Sequence, residues 1–261
     1  MTLRFVENTH AYYLDGKRIP GVTTLLGKGL PKPALTYWSA KCVAEWVADN
    51  PEGVEQLRGM GRGPMVQALK GVPWEKRDAA AVRGTDVHAL AEKIIHGDAA
   101  EVPDYLLGYV EGYVRFLEEF DVQPVLTEQP VASRKWKYGG KFDALVTVGR
   151  GPWAGRHPLL DWKTSSGVYG EVALQTAAYA LADFYAPDAD TEIPMPYIDC
   201  TGVVHITDGS TTLHPLAKDK TELTEHYKVW THVAYLAQRQ DYIKNLVGLP
   251  MEIDTEEADV A

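Results

Sequence analysis

Thiols are scarce: Cys42 and Cys200 are the only cysteines in 261 residues, too few for a four-cysteine zinc or iron–sulfur site within one chain. Both are expected to be reduced and buried. No uncharged apolar run is long enough to cross a bilayer, and the opening MTLRFVENTH lacks the apolar core of a signal peptide. The expected location is cytoplasmic, with no membrane contact. Positive charge is also in short supply, with 26 Lys and Arg against 36 Asp and Glu and a net charge of −10. Phosphate binders usually carry a basic excess. The shortfall is unevenly placed, because the closing run MEIDTEEADVA supplies Glu252, Asp254, Glu256, Glu257 and Asp259 without a base. That run is expected to be a disordered acidic tail, which leaves the body only mildly acidic. Carboxylates that hold a divalent cation also add negative charge without repelling phosphate once the cation is bound.

What is present is ordinary globular material, with 45% hydrophobic and 24% charged residues. The length suits one large domain or a core with a substantial elaboration. HAYYLDGKRI flanks Asp15-Gly16 with hydrophobic residues and predicts a hairpin. Leu35, Trp38, Cys42, Val43, Trp46 and Val47 fall at helical spacing and predict a helix with one buried face, Trp38 and Trp46 included. Residues 50–74 are rich in Gly and Pro and only loosely placed. Helices are expected over about 75–95 and 103–120. From Pro124 the texture changes to strands, VLTEQPVAS, KYGGKFDALVTVG and HPLLDWKTS, which read as a three-stranded meander. EVALQTAAYALADF predicts a helix packed on that sheet, GVVHIT and TTLHPL a hairpin around Asp208-Gly209, and residues 221–246 one long helix. The domain organisation read this way is an N-terminal hairpin and helical elaboration over 1–82, a core over 83–250 and a tail over 251–261.

Alternate residues of a strand share a face, so in LLDWKTS Asp161 and Lys163 project together and Trp162 projects oppositely. Asp143 lies on the preceding strand, and antiparallel pairing would bring its carboxylate beside Asp161. Two adjacent carboxylates repel unless a proton or cation lies between them, and oxygen ligands suit Mg²⁺ or Mn²⁺. Such an ion could acidify a water and neutralise a phosphate, while Lys163 orients or deprotonates the water. The chemistry this suggests is phosphodiester hydrolysis. A lone D-x-K proves little, since exposed strands often carry both residue types. The succession G-x-x-D, D-W-K and Gln175-x-x-x-Tyr179, in order and on the expected elements, is far more specific.

Residue types and order here resemble the PD-(D/E)XK nuclease superfamily, and Gln175-x-x-x-Tyr179 resembles the signature of its RecB-like branch. RGTDVHALAEKIIHG resembles that branch's helix motif, in which a histidine after an R-G pair adds a metal ligand. GVTTLLGKGLPKPAL also looks like phage-encoded and mitochondrial genome-maintenance exonucleases. The resemblance covers roughly residues 83–180. It implies an α/β fold, a mixed central sheet flanked by helices, with a helical N-terminal elaboration. It implies His88, Asp143, Asp161 and the Trp162 carbonyl as metal ligands and Lys163 as the catalytic lysine. Gln175 and Tyr179 would face the substrate edge. Glu128 and Glu92 are candidates for supporting roles behind these ligands, Glu92 sharing a helix face with His88. Relatives with four cysteines bind an iron–sulfur cluster, and this chain resembles the members without one.

Each of these residues also has a plainer reading: His88 as a hydrogen-bonded structural histidine, Glu92 on a solvated face, Tyr179 as core packing. SRKWKYGGK sets Lys135, Lys137 and Lys141 among Trp136 and Tyr138, which suits phosphate contacts and base stacking or an ordinary solvated hairpin. The function implied is a metal-dependent DNA exonuclease in phage replication or recombination, with a single-strand annealing or binding protein as partner. A homo-oligomer that encloses the strand would favour processivity. The alternatives are a DNA-end-binding protein that does not cut and an endonuclease on the same fold.

Overall fold

The computed structural model describes residues 3–251, so nearly all of the acidic tail read from the sequence lies outside the described residues. The chain opens with β1 (Leu3–Val6), β2 (Ala11–Leu14) and β3 (Lys17–Ile19), an antiparallel sheet of three. The β2–β3 hairpin is the predicted one, and Asp15 and Gly16 both take the positive φ that a two-residue turn of the favoured hand needs. Four helices follow: α1 (Val22–Gly29), α2 (Pro33–Asp49), α3 (Pro51–Gly59) and α4 (Arg62–Ile95). The loosely placed stretch is therefore helical. Pro51 sits at the first turn of α3, where a helix tolerates it, whereas Pro73 lies inside α4. After α5 (Leu107–Phe120) come β4 (Val122–Ser133), β5 (Tyr138–Val148) and β6 (Leu159–Lys163), the expected meander.

The helix α6 (Glu171–Ala180) then carries the chain over the sheet, through the short strands β7 (Phe184–Tyr185) and β8 (Ile193–Pro194), to β9 (Thr201–Thr207). β9 runs parallel to β6, and β10 (Ser210–Ala217) completes the second predicted hairpin. The result is a seven-stranded mixed sheet in the order β10-β9-β6-β5-β4-β7-β8. The predicted last helix is divided at Arg239 into α7 (Lys220–Gln238) and α8 (Gln240–Lys244). Asp219 caps α7 by accepting from the backbone N–H groups of Thr221 at 2.8 Å and Glu222 at 2.9 Å. Asp219→Ala should cost about 1 kcal/mol, read as a fall of about 2–4 °C in Tm.

The two sheet faces carry separate cores. On one, α4 and α5 bury Val87, Leu90, Tyr113 and Phe116 against Ala144, Val146, Leu160 and Trp162. On the other, α1, α6 and α7 bury Leu25, Ala178, Tyr179 and Trp230 against Val131, Phe142, Leu145 and Leu159. Burying an aromatic ring such as Trp162 or Trp230 in full contributes roughly 2–3 kcal/mol. The N-terminal elements join these cores, since Val22, Leu25 and Leu26 pack under α6 and α7. The backbone at Gly21 bridges to Gly139 of β5, and residues 82 and 83, the expected boundary, lie within unbroken α4.

The predicted buried face of α2 is a correction. Among its apolar positions Cys42 is buried, but Leu35 is 54% exposed and Trp38 38%. The helix has the expected spacing, but its apolar stripe is covered only in part, Cys42 fully and Val43 and Trp46 partly, because α2 packs on α3 and α4 rather than on the sheet. Trp38 is thus not a core residue.

Candidate metal centre

The site forms where β5 and β6 part. Their pairing ends at Ala144–Leu160, so the next residues, Asp143 and Asp161, lose the ladder just as they come abreast. The Asp143 carboxylate fills the gap: its Oδ2 accepts from the Trp162 backbone N–H at 2.6 Å. On the other side of β5, Asp143 faces Glu128 of β4, which lies between the register pairs Thr127–Ala144 and Gln129–Phe142. Glu128 has φ 52, a left-handed conformation that costs a non-glycine residue about 1 kcal/mol or more. The alternation of β5 slips beside it, for Phe142 joins one core and Ala144 the other despite equal parity.

The helix α4 supplies His88 from above. Val87, Leu90 and Ala91 anchor that turn in the core, and the imidazole packs edge-on against Trp162 at 5.9 Å between ring centroids. One ligand atom from each of His88, Glu128 and Asp143 lies within 4.8 Å of the other two, and among the described residues this is the one His/Cys/Asp/Glu trio so spaced. His88 Nδ1 is 3.7 Å from Asp143 Oδ1. Burial, reinforced by the Lys163 charge, lowers the His88 pKa, while burial and the neighbouring Asp161 push Asp143 up to about 7. The two are therefore not a charged pair. Burial, then Asp143, raises Glu128 as well. Two carboxyl groups with raised pKa values beside a neutral imidazole mark a place that favours a proton or a cation.

Trp162 lies opposite its neighbours, as the alternation of the strand requires. Its indole is buried between His88 and Tyr113, and its backbone partly offsets the lowering of the His88 pKa. Asp161 and Lys163 share the other face and contact each other, the ammonium against Oδ2. Burial works against the Lys163 charge, but Asp161 and Asp143 outweigh it and raise the pKa. Lys163 is held as an ammonium. Asp161 Oδ1 accepts from Gln175 Nε2 at 2.8 Å, and the same amide donates to the Tyr179 hydroxyl at 3.2 Å.

The expected ligands are thus only partly gathered. Asp161 is abreast of Asp143 but stands outside the trio, committed to Gln175 and Lys163, while Glu128, expected in support, is a full member. Gln175 and Tyr179, expected on the substrate edge, are buried, at 9% and 4% exposure. The reason lies in KYGGKF. A Cβ at Gly140 would sit 2.4 Å from Tyr179 Cε1, and one at Gly139 would sit 2.6 Å from Tyr12 Cγ. The bare backbone of β5 lets both rings lie against it, so α6 sinks inward and its polar pair supports Asp161 from beneath.

The lysines separate. Lys141 is at the site, 2.5 Å from Glu128 Oε2, with its pKa raised because Glu128 outweighs burial. Lys135 and Lys137 are exposed in the β4–β5 turn, roughly 20 Å along the strand from Asp143 at 3.3 Å per residue. Arg134 there is taken by Asp15 and Glu192. Glu92, half-buried one turn beyond His88, acts at longer range by raising Glu128 and Lys141. Sequence reasoning missed Tyr12, whose hydroxyl pKa is pushed up to about 12 by burial and then by Glu128, and His205, whose Nε2 meets the Ser165 carbonyl at 2.7 Å just past Lys163. The Gly139-Gly140 pair was the signal for Tyr12.

The cysteines take no part. Cys42 is on α2 and Cys200 precedes β9; both are free and buried, and burial pushes the Cys200 thiol up to about 12. Among the described residues no helix is long and apolar enough to cross a membrane.

No protein-family model matches the chain, and no curated protein matches it. Among solved structures it is similar to one titled "Crystal structure of SSO0001", at 16% identity and a TM-score of 0.27. The match covers 56% of this chain and 63% of that one, so the chain spans less than two thirds of that protein's length.

Proposed function

We propose that the protein is a metal-dependent deoxyribonuclease of the PD-(D/E)XK type that hydrolyses phosphodiester bonds from DNA ends. The observation that carries this reading is the trio of His88, Glu128 and Asp143, with Lys163 held as an ammonium by Asp161 where β5 and β6 part. Two carboxyl groups and one imidazole suit a hard divalent cation, and the nitrogen ligand favours Mn²⁺ over Mg²⁺. The Trp162 carbonyl could add a further oxygen. Bound there, the ion would neutralise phosphate charge and acidify a water.

The protein's own side chains do the rest. Asp161 keeps Lys163 charged and fixed in place, so Lys163 orients the attacking water and offsets charge on the phosphoryl oxygens rather than removing a proton. Gln175 and Tyr179 fix Asp161. Lys141 holds the Glu128 carboxylate at the mouth of the site. Action from ends rests on the likeness of the N-terminal GVTTLLG stretch and of the motif order to exonucleases.

Lys163→Ala should lower hydrolysis of linear DNA in Mn²⁺ by roughly 10²–10³-fold or more, with no activity in EDTA for either protein. Full activity in the variant would overturn the assignment. Closed circular DNA should survive; its cleavage would make the enzyme an endonuclease, and binding of ends without cleavage in either metal would make it an end-binding protein.

A further inference from the structure

The N-terminal sheet brings aromatic surface to the edge of the metal centre. Phe5 and Tyr12 face each other across β1 and β2, with rings stacked at 4.9 Å between centroids and 28° between planes. The Lys141 ammonium lies 5.8 Å from the Phe5 ring centroid and 2.5 Å from Glu128 Oε2. One side chain thus touches both the aromatic pair and a member of the trio. The core does not account for Phe5. The cluster beneath the sheet consists of Leu3, Leu14, Ile19, Ala132, Phe184 and Ala186 with Tyr12 against it, whereas Phe5 is half-buried and lies outside it, its other ring neighbour being His10 at 6.0 Å between centroids.

Building on the nuclease reading above, the geometry points to Phe5, with Tyr12 behind it and Lys141 beside it, as a stacking shelf for the terminal base of a single-stranded DNA end. A base offers an aromatic face whatever its identity, so such a shelf holds an end without reading sequence. Glu7, whose Oε1 is 4.0 Å from Lys141 Nζ, repels a second phosphate here and leaves the shelf to the uncharged base. The adjoining phosphate is then directed towards His88, Glu128 and Asp143. A base still paired in a duplex is stacked on its neighbour and joined to its partner, so a frayed or single-stranded end is the form that fits.

The test uses the full chain carrying Lys163→Ala, in Mn²⁺, with single-stranded oligonucleotides bearing 2-aminopurine at either terminus or internally. Fluorescence of the probe at one terminus should change on binding. Phe5→Leu, which keeps apolar bulk but removes the π-face, should weaken binding roughly tenfold and abolish that change, and Phe5→Trp should retain both. With Lys163 intact, Phe5→Leu should raise KM for single-stranded DNA and leave kcat nearly unchanged. A Phe5→Leu protein with the same melting temperature, affinity and terminal signal as its parent would overturn the shelf and leave the nuclease reading standing. Weaker binding with no terminal signal in the parent would also overturn it. Failure of the unsubstituted protein both to bind and to cut would overturn the nuclease reading and the shelf with it.

Discussion

Asp143→Asn should give a metal-free protein more stable than the parent at pH 8, yet one that no longer gains stability from Mn²⁺. Burial and Asp161 raise the Asp143 pKa from the ordinary carboxylate value to about 7 in the folded chain. Below about pH 4 both folded and unfolded chains carry the proton, and the group costs nothing. As pH rises the unfolded chain releases the proton while the folded chain retains it, so stability falls until the folded group also ionises near pH 7. Above that the full penalty stands, on the order of 4 kcal/mol. Asparagine keeps an oxygen for the Trp162 N–H and carries no charge to desolvate, so the gap in Tm between variant and parent should widen from pH 5 to pH 8. A divalent cation reverses the order by taking the proton's place. At about a hundredfold excess over Kd it should stabilise the parent by roughly 2.7 kcal/mol, about 5–10 °C in Tm, at pH 8 and much less at pH 5.5. Thermal melts with and without Mn²⁺ at the two pH values decide the matter. An equal Mn²⁺ shift in the variant would remove the ion from this trio.

Gly140→Ala should cost far more than one methyl group suggests. The added Cβ would lie 2.4 Å from Tyr179 Cε1 and 2.8 Å from Tyr179 Cδ1, and Tyr179 is buried under α6 and cannot swing outward. Forcing such a contact costs typically 1–3 kcal/mol, or about 2–12 °C in Tm at this chain length. The relief available is a shift of α6 away from β5, which carries Gln175 and Tyr179 together and draws the Gln175 amide from Asp161. Activity should therefore fall further than stability alone dictates, at temperatures where the variant is still folded. The double variant Gly140→Ala with Tyr179→Leu separates the two effects, since it should regain thermal stability without regaining the full rate. A single variant that melts and cuts like its parent would mean that the ring does not hold Asp161 in place.

Much of the fold follows from period and punctuation. The alternation in GKFDALVTV and LLDWK set both strands and put Asp161 and Lys163 opposite Trp162, and Asp-Gly pairs marked two hairpins where the chain must take positive φ. The order of the motifs also brought Asp143 abreast of Asp161 and placed His88 and Glu92 on one helix face. These are local properties, fixed by neighbours in the chain. Burial is not local: α2 has the helical spacing of a buried-faced helix, yet Leu35, Trp38 and Val47 of its apolar stripe stay exposed because α2 packs on α3 and α4 and not on the sheet. Only the assembled sheet decided that Glu128, strained at φ 52 and opposed to Asp143, would complete the trio while Asp161 turned to Gln175 and Lys163. Likewise, no spacing rule links Phe5 and Tyr12 to residues more than a hundred positions away. The approach of Tyr12 depends on the room left by Gly139, and that room is a property of the packed backbone rather than of the chain.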